Sequence, residues 1–279
     1  MLSIFYGLVS ALSWGAADFT GGVASRRTNV YGVVIGAEGV GVVFCILAAL
    51  VMKEPIPGWQ TWAWGSAAGL CGGIGLLLLY QAFSRGRMSI AAPVSAVVGA
   101  VIPVIVGSLV DGLPTVWTFI GMLLALLAVG LIARGESGAT RGALRLNEIS
   151  LPLIAGLFFG LYFVFMHQAG NHGFLWPILA ARLASALSIL AAALFMRQPW
   201  APPRKLWPMI ALSGFLDVIG NGFYVLAGQV GRMDVAAVLG SLYPGSTVLL
   251  AGVFLRERLG RMQVIGVITA LVAILLMTI

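Results

Sequence analysis

Long apolar stretches alternate with short polar connections along the whole chain, and each stretch is bounded by charge, Pro or Gly. The pattern predicts ten helices, at about 2–24, 30–52, 60–83, 89–110, 115–134, 150–169, 174–196, 205–228, 234–255 and 261–279. About 20 apolar residues carry a helix across a bilayer, and most of these segments reach that length. The connections are short except for GESGATRGALRLNEI at 135–149. That polar segment divides the chain into a five-helix unit at 1–134, a linker at 135–149 expected to be cytoplasmic, and a second five-helix unit at 150–279.

Composition narrows the class. Of 279 residues 60% are hydrophobic and 9% charged, against about 25% charged in soluble domains. So few charges cannot cover a water-soluble globule of this size, and disorder needs the opposite balance. The chain reads as an all-α polytopic membrane protein of the cytoplasmic (inner) membrane. Its net charge of +7 follows the connections. The odd-numbered ones hold thirteen Arg and Lys residues and the even-numbered ones two, Lys53 and Arg232, with Arg182 left inside a helix. Under the positive-inside rule the odd connections are cytoplasmic and both termini lie outside. No basic run interleaved with aromatics appears, which sets nucleic acid aside as a partner. Seven of the eight tryptophans fall near helix ends, as an interfacial belt requires; Trp14 falls in mid-helix. Cys45 and Cys71 lie in apolar stretches and read as packing residues. The first basic residue is Arg26, so the opening stretch is expected to remain as a helix rather than to be cleaved.

The two units are related. GRMSIAA (86–92) reappears as GRMDVAA (231–237), and Ala37-Glu38 aligns with Ala181-Arg182, as Tyr80 does with Tyr224. Aligning Gly7-Leu8 with Gly156-Leu157 sets Asp18 opposite His167. An odd number of helices per repeat turns the second copy over, and the loop charges agree. The connection at Asp111 has no basic residue, whereas its counterpart RERLGR (256–261) has three. The expected architecture is two inverted five-helix repeats around a central cavity, a transporter arrangement.

ALSWGAADF (11–19), the five-plus-five layout and FLRERLGRMQVIG (254–266) together resemble the EamA family of the drug/metabolite transporter superfamily. The resemblance covers nearly the whole chain. It implies ten helices about a central cavity and export or exchange of small metabolites, aromatic amino acids among them. The sequence departs from the family pattern at Asp111-Gly112, where a glutamate is expected, and at Glu38, where an arginine is common.

Ionisable side chains deep in a membrane are costly and face a cavity or a partner. Four stand out: Asp18, Glu38, Arg182 and Asp217. Glu38 and Arg182 each lie about nine residues into their helices, roughly 13 Å at 1.5 Å per residue. Two readings are open: they bind the charged ends of a zwitterion or trade a proton, or they neutralise each other between the repeats. Asp217, Asn221 and Tyr224 share one helix face at i, i+4 and i+7. They suit a proton-coupling site or an interhelical hydrogen-bond network. The expected substrate-binding set is Trp14, Glu38, Tyr80, Arg182, Asp217, Asn221, Tyr224 and Tyr243; proton-coupling or gating candidates are Asp18, Glu38, His167 and Asp217. Pro93, Pro103 and Pro244 are expected to interrupt helical hydrogen bonding beside the pathway. The GxxxG spacings at Gly32/Gly36, Gly65/Gly69, Gly69/Gly73 and Gly156/Gly160 are expected to be close-packing surfaces.

No GxSxG, HExxH or Walker loop is present, and no His, Cys or acid cluster has metal-ligand spacing. The expectation is a secondary transporter rather than an enzyme, with no cofactor or metal and an ion or solute gradient as its energy source. Aromatics, acids and one deep arginine suit a small amphipathic substrate such as an amino acid, carried by alternating access. The alternative is a proton-coupled exporter of cationic or aromatic drugs. The ten-helix unit holds both repeats, so a monomer suffices and an oligomer is not required.

Overall fold

The structure is a computed structural model that describes residues 1–85, 88–133, 146–254 and 260–277. Residues 135–145 of the expected linker, Gly86 and Arg87 of the first repeated heptad and Arg256 to Leu259 lie outside the described residues. The described residues are helical and contain no strand. The helices are α1 (Leu2–Ser25), α2 (Val30–Met52), α3 (Trp59–Ser84), α4 (Met88–Val110), α5 (Val116–Ala133), α6 (Leu146–Gly170), α7 (Leu175–Phe195), α8 (Trp207–Gln229), α9 (Met233–Gly240), α10 (Tyr243–Phe254) and α11 (Arg261–Met277). Among the described residues, seven segments are long and apolar enough to cross a membrane: α1, α2, α3, most of α4, most of α6, α7 and α8. The apolar parts of α5 and α11 are shorter. The chain is a multi-pass membrane protein.

Local chemistry explains several boundaries. Asn29 caps α2 by accepting the Tyr31 N–H at 2.9 Å. At the other end of α2, Lys53 takes left-handed backbone with φ 51°. The start of α7 has no cap of its own. Glu54, just beyond α2, accepts the N–H groups of Phe174 and Leu175 at 2.7 and 2.9 Å. A carboxylate there satisfies donors the helix leaves open and complements the helix dipole.

The ninth predicted segment is two helices. α9 stops at Gly240, and α10 starts at Tyr243. Pro244 has no N–H to donate to the Gly240 carbonyl, which favours a break before it; in the first turn of α10 that missing donor costs nothing. Pro93 and Pro103 behave otherwise, because α4 continues past both. Among the three prolines, only Pro244 stands where the helix itself ends; at Pro93 and Pro103 the missing N–H leaves α4 continuous.

The two halves interlock. α1 runs antiparallel to α8, through hydrogen bonds from Ser3 to the Ala227 carbonyl (2.9 Å), Ser10 to Gly220 (2.8 Å) and Ser213 back to Ala17 (2.9 Å). α3 meets α6 in the same sense, with Gly72 against Tyr162 and Gly75 against Phe159. α2 and α7 are also antiparallel: Asn29 reaches Gln198 at one end, Glu38 reaches Arg182 between, and Glu54 reaches Phe174 at the other. α5 lies against α11, with Gly121 opposite Ala273 and Met277. Two parallel seams complete the frame. Gly65, Gly69 and Gly73 of α3 lie along Pro177, Ala181 and Ser185 of α7, while Gly36, Gly214 and Gly41 bring α2 and α8 together at Ile210, Ala37 and Val218. Small residues let backbones approach where lipid offers no hydrophobic drive between helices. Gly156 and Gly160 pack against Ser95, Val98, Gly99 and Ile102 of α4 in the same manner, and Gly32 against Trp200 and Pro202.

Candidate functional site: a charged cavity at the centre of the bundle

The break between α9 and α10 opens onto a cavity bounded by α1, α2, α3, α4, α6, α7 and α8. The cavity is narrow, with a volume of about 80 Å³.

One wall is ionic. Arg182 of α7 donates through Nη1 to Glu38 Oε2 at 2.8 Å, and its Nη2 stands 2.5 Å from Asp217 Oδ2. The second Glu38 oxygen accepts from Ser185 Oγ at 2.8 Å. Glu38 and Arg182 are buried, while the Asp217 side chain is 22% exposed. One guanidinium thus bridges two carboxylates from the other two helices, an arrangement suited to its forked donors. Asp18 of α1 also lines the cavity and lies within Coulomb range of Asp217, yet it makes no ion pair among the described residues. The lining therefore sets three carboxyls against one cation.

The remaining lining is aromatic and hydroxylic. Trp14 packs against Phe163 and Tyr224 with ring centroids 5.7 Å apart in each pair. Its indole lies against Gly220 of α8 and Gly240 at the end of α9, where a larger residue would displace it. Tyr243 shares a 2.7 Å hydrogen bond with Ser95 Oγ and donates to the Ala92 carbonyl at 3.1 Å. Asn221 donates to the Asp217 carbonyl at 2.5 Å, and its side-chain oxygen accepts from the Tyr162 hydroxyl.

Of the residues expected to bind substrate, Trp14, Glu38, Arg182, Asp217, Asn221 and Tyr243 line the cavity. Tyr80 and Tyr224 are buried behind it. Tyr224 donates to the Phe163 carbonyl at 2.8 Å, and Tyr80 reaches Ser213 and the Ala17 carbonyl at 3.4 and 3.5 Å. Each tyrosine spends its hydroxyl tying helices together. Asp18 lines the cavity; His167 lies outside the lining, against Gly228 of α8. Sequence reasoning passed over Tyr162, Phe163, Ser185 and Ser95. Two of them carried a signal: Ser185 is one turn from Arg182 on the same face, and the alignment of Gly7 with Gly156 sets Trp14 opposite Phe163. Tyr162 and Ser95 are ordinary residues in apolar helices until the fold brings Asn221 and Tyr243 to them.

The EamA-like transporter family matches this chain twice, over residues 1–134 and 146–279. An uncharacterized protein of Methanocaldococcus jannaschii is 25% identical over 133 residues, which is 48% of this chain and 97% of that protein. A crystal structure of another protein, 16% identical, superposes with a TM-score of 0.78 over 99% of this chain and 96% of its own; at that identity the likeness shows a common fold. With both halves matched over nearly their full length, the chain belongs to the EamA-like transporter family.

Proposed function

We propose that the protein is a secondary transporter that moves a small amphipathic solute, an amino acid in first place, by alternating access between two inverted repeats of five membrane crossings. The broken α9–α10 pair acts as one crossing, which brings the total to ten and divides the units at 1–134 and 150–279. The antiparallel pairing of α2 with its repeat equivalent α7 supports inversion. So does the exchange of partners, in which α1 meets α8 as α3 meets α6. The basic connections support an orientation in the cytoplasmic membrane with both termini outside, and a monomer contains the whole cavity.

The observation that carries the reading is the Glu38–Arg182–Asp217 cluster beside the Trp14 wall and Asp18, which makes no ion pair among the described residues. Asp18 and Asp217 receive the ammonium of an amino acid. Arg182 takes the carboxylate by giving up one of its two acids, with Ser185 and Asn221 holding the released group. Protons on Asp18 or Asp217 then provide the coupling ion.

A second reading has its own support. Three carboxyls against one arginine, with an aromatic wall, equally suit an organic cation lacking a carboxylate. Counterflow in liposomes separates the two. Labelled aromatic and aliphatic amino acids are assayed against a quaternary ammonium compound, with and without an imposed pH gradient. Amino-acid counterflow that is lost in Arg182→Lys and in Asp18→Asn bears out the first reading. Counterflow of the ammonium compound alone, insensitive to Arg182→Lys, puts the second in its place.

A further inference from the structure

On the far side of α2 from the cavity, a second groove, lined by apolar residues, lies between α2 and α8. Its floor is Gly36 and Gly39, its deep end is Phe44 against Phe215 in an edge-on pair 5.0 Å between centroids, and its mouth is framed by Trp200 and Trp207. Gly39 faces open space, with nothing within 4 Å of where a Cβ would stand. From Ile35 to Leu47 the groove follows thirteen residues of α2, a rise of about 18 Å at 1.5 Å per residue. That is comparable to half of the roughly 30 Å hydrocarbon core of a bilayer. At the mouth, between the lining residues Pro202 and Trp207, the chain makes a short 3-10 turn whose Arg204 and Lys205 are exposed.

We propose that this groove is a binding site for one anionic phospholipid, with an acyl chain along Gly36 and Gly39 and the headgroup on Arg204 and Lys205. The geometry fits that occupant better than others. A second copy of the chain seated face to face brings the same basic turn against itself. Paired cations at the interface attract anionic headgroups, and tryptophans settle at the headgroup level. Because the floor of the groove is the back of the helix that carries Glu38, an occupied groove fills the space into which α2 would otherwise move away from α7.

Native mass spectrometry of the detergent-solubilised protein, titrated with phosphatidylglycerol or phosphatidylcholine of matched chains, tests the site. The expected result is one phosphatidylglycerol retained at least several-fold over phosphatidylcholine. That preference disappears in the Arg204→Ala/Lys205→Ala variant and persists in Arg204→Lys. Retention of the lipid itself falls in Gly39→Leu, which fills the floor from a position with free space. A wild-type protein that retains both lipids equally overturns the proposal, as does a preference unchanged in both the alanine and the leucine variants. A dimer that forms only when lipid is stripped, and is abolished by Gly39→Leu, overturns it in favour of a second copy.

Discussion

At the scale of single residues, the central fact is that Arg182 serves two buried or half-buried carboxylates at once. Removing one partner of a buried ion pair strands the other charge, at a cost of about 3–5 kcal/mol. Arg182→Ala is therefore expected to lower the melting temperature sharply in detergent. Neutralising the whole cluster, with Glu38→Gln, Arg182→Gln and Asp217→Asn together, should recover most of that loss while counterflow stays absent. If the triple variant melts as low as Arg182→Ala, stranded charge is not what destabilises it. Asp18→Asn is expected instead to leave melting nearly unchanged while abolishing amino-acid counterflow, since Asp18 stabilises no ion pair in the described structure. Part of this site was legible in the sequence. Ionisable residues are so costly in an apolar helix that Asp18, Glu38, Arg182 and Asp217 announce themselves, and all four line the cavity. Tyrosines do not, because a phenol is at home in an apolar core as well as on a pathway. Helical spacing put Tyr224 on the face of Asp217 and Asn221, yet its hydroxyl ends on the Phe163 carbonyl.

At the scale of helices, the two parallel seams share a contact. Gly69 of α3 abuts the Ala181 carbonyl on α7, and Gly214 of α8 abuts the Ala37 carbonyl on α2. Ala37 and Ala181 immediately precede Glu38 and Arg182. Each glycine therefore sets how closely a helix bearing a central charge is held. A methyl at either site overlaps backbone, which cannot rotate aside as a flexible side chain can. Gly69→Ala and Gly214→Ala are each expected to destabilise by about 1–3 kcal/mol, read as a fall in melting temperature, whereas Gly39→Ala, facing open space, should change it little. The GxxxG spacing at Gly65, Gly69 and Gly73 made the α3 seam visible in the sequence; Gly214 had no such partner and could be found only from the fold. Helix positions were legible to within a few residues because the apolar runs end at charges and prolines. The division of the ninth segment was foreshadowed by Pro244, but periodicity alone does not distinguish a proline that breaks a helix from Pro93 or Pro103, which neighbouring packing accommodates.

At the scale of the whole molecule, one end of the bundle is tied across the halves by polar clasps. Glu54 caps α7, and Arg232 pairs with Asp234 at 2.7 Å while donating to the carbonyls of Asp111 and Gly112 at 3.2 and 2.6 Å. The Asp234 carboxylate holds the Arg232 guanidinium above its ordinary pKa. Loosening both clasps with Glu54→Gln and Arg232→Gln should open that end. The readout is the rate at which a membrane-impermeant maleimide labels Ser95→Cys from that side, in a background without Cys45 and Cys71. A several-fold rise is expected; an unchanged rate assigns the closure of that end elsewhere. The interlocking of the halves also bears on how the protein is made. α1 completes its hydrogen bonding on α8, α3 lies on α6 and α7, and α5 lies on α11, so the first five helices leave the ribosome before any of these partners exists. For that interval Ser3 and Ser10 have no cross-half acceptor and Glu38 no guanidinium. Synthesis order thus becomes a folding constraint: a nascent chain halted after residue 134 should remain open to protease, and resistance should arrive only when the last helix has been released.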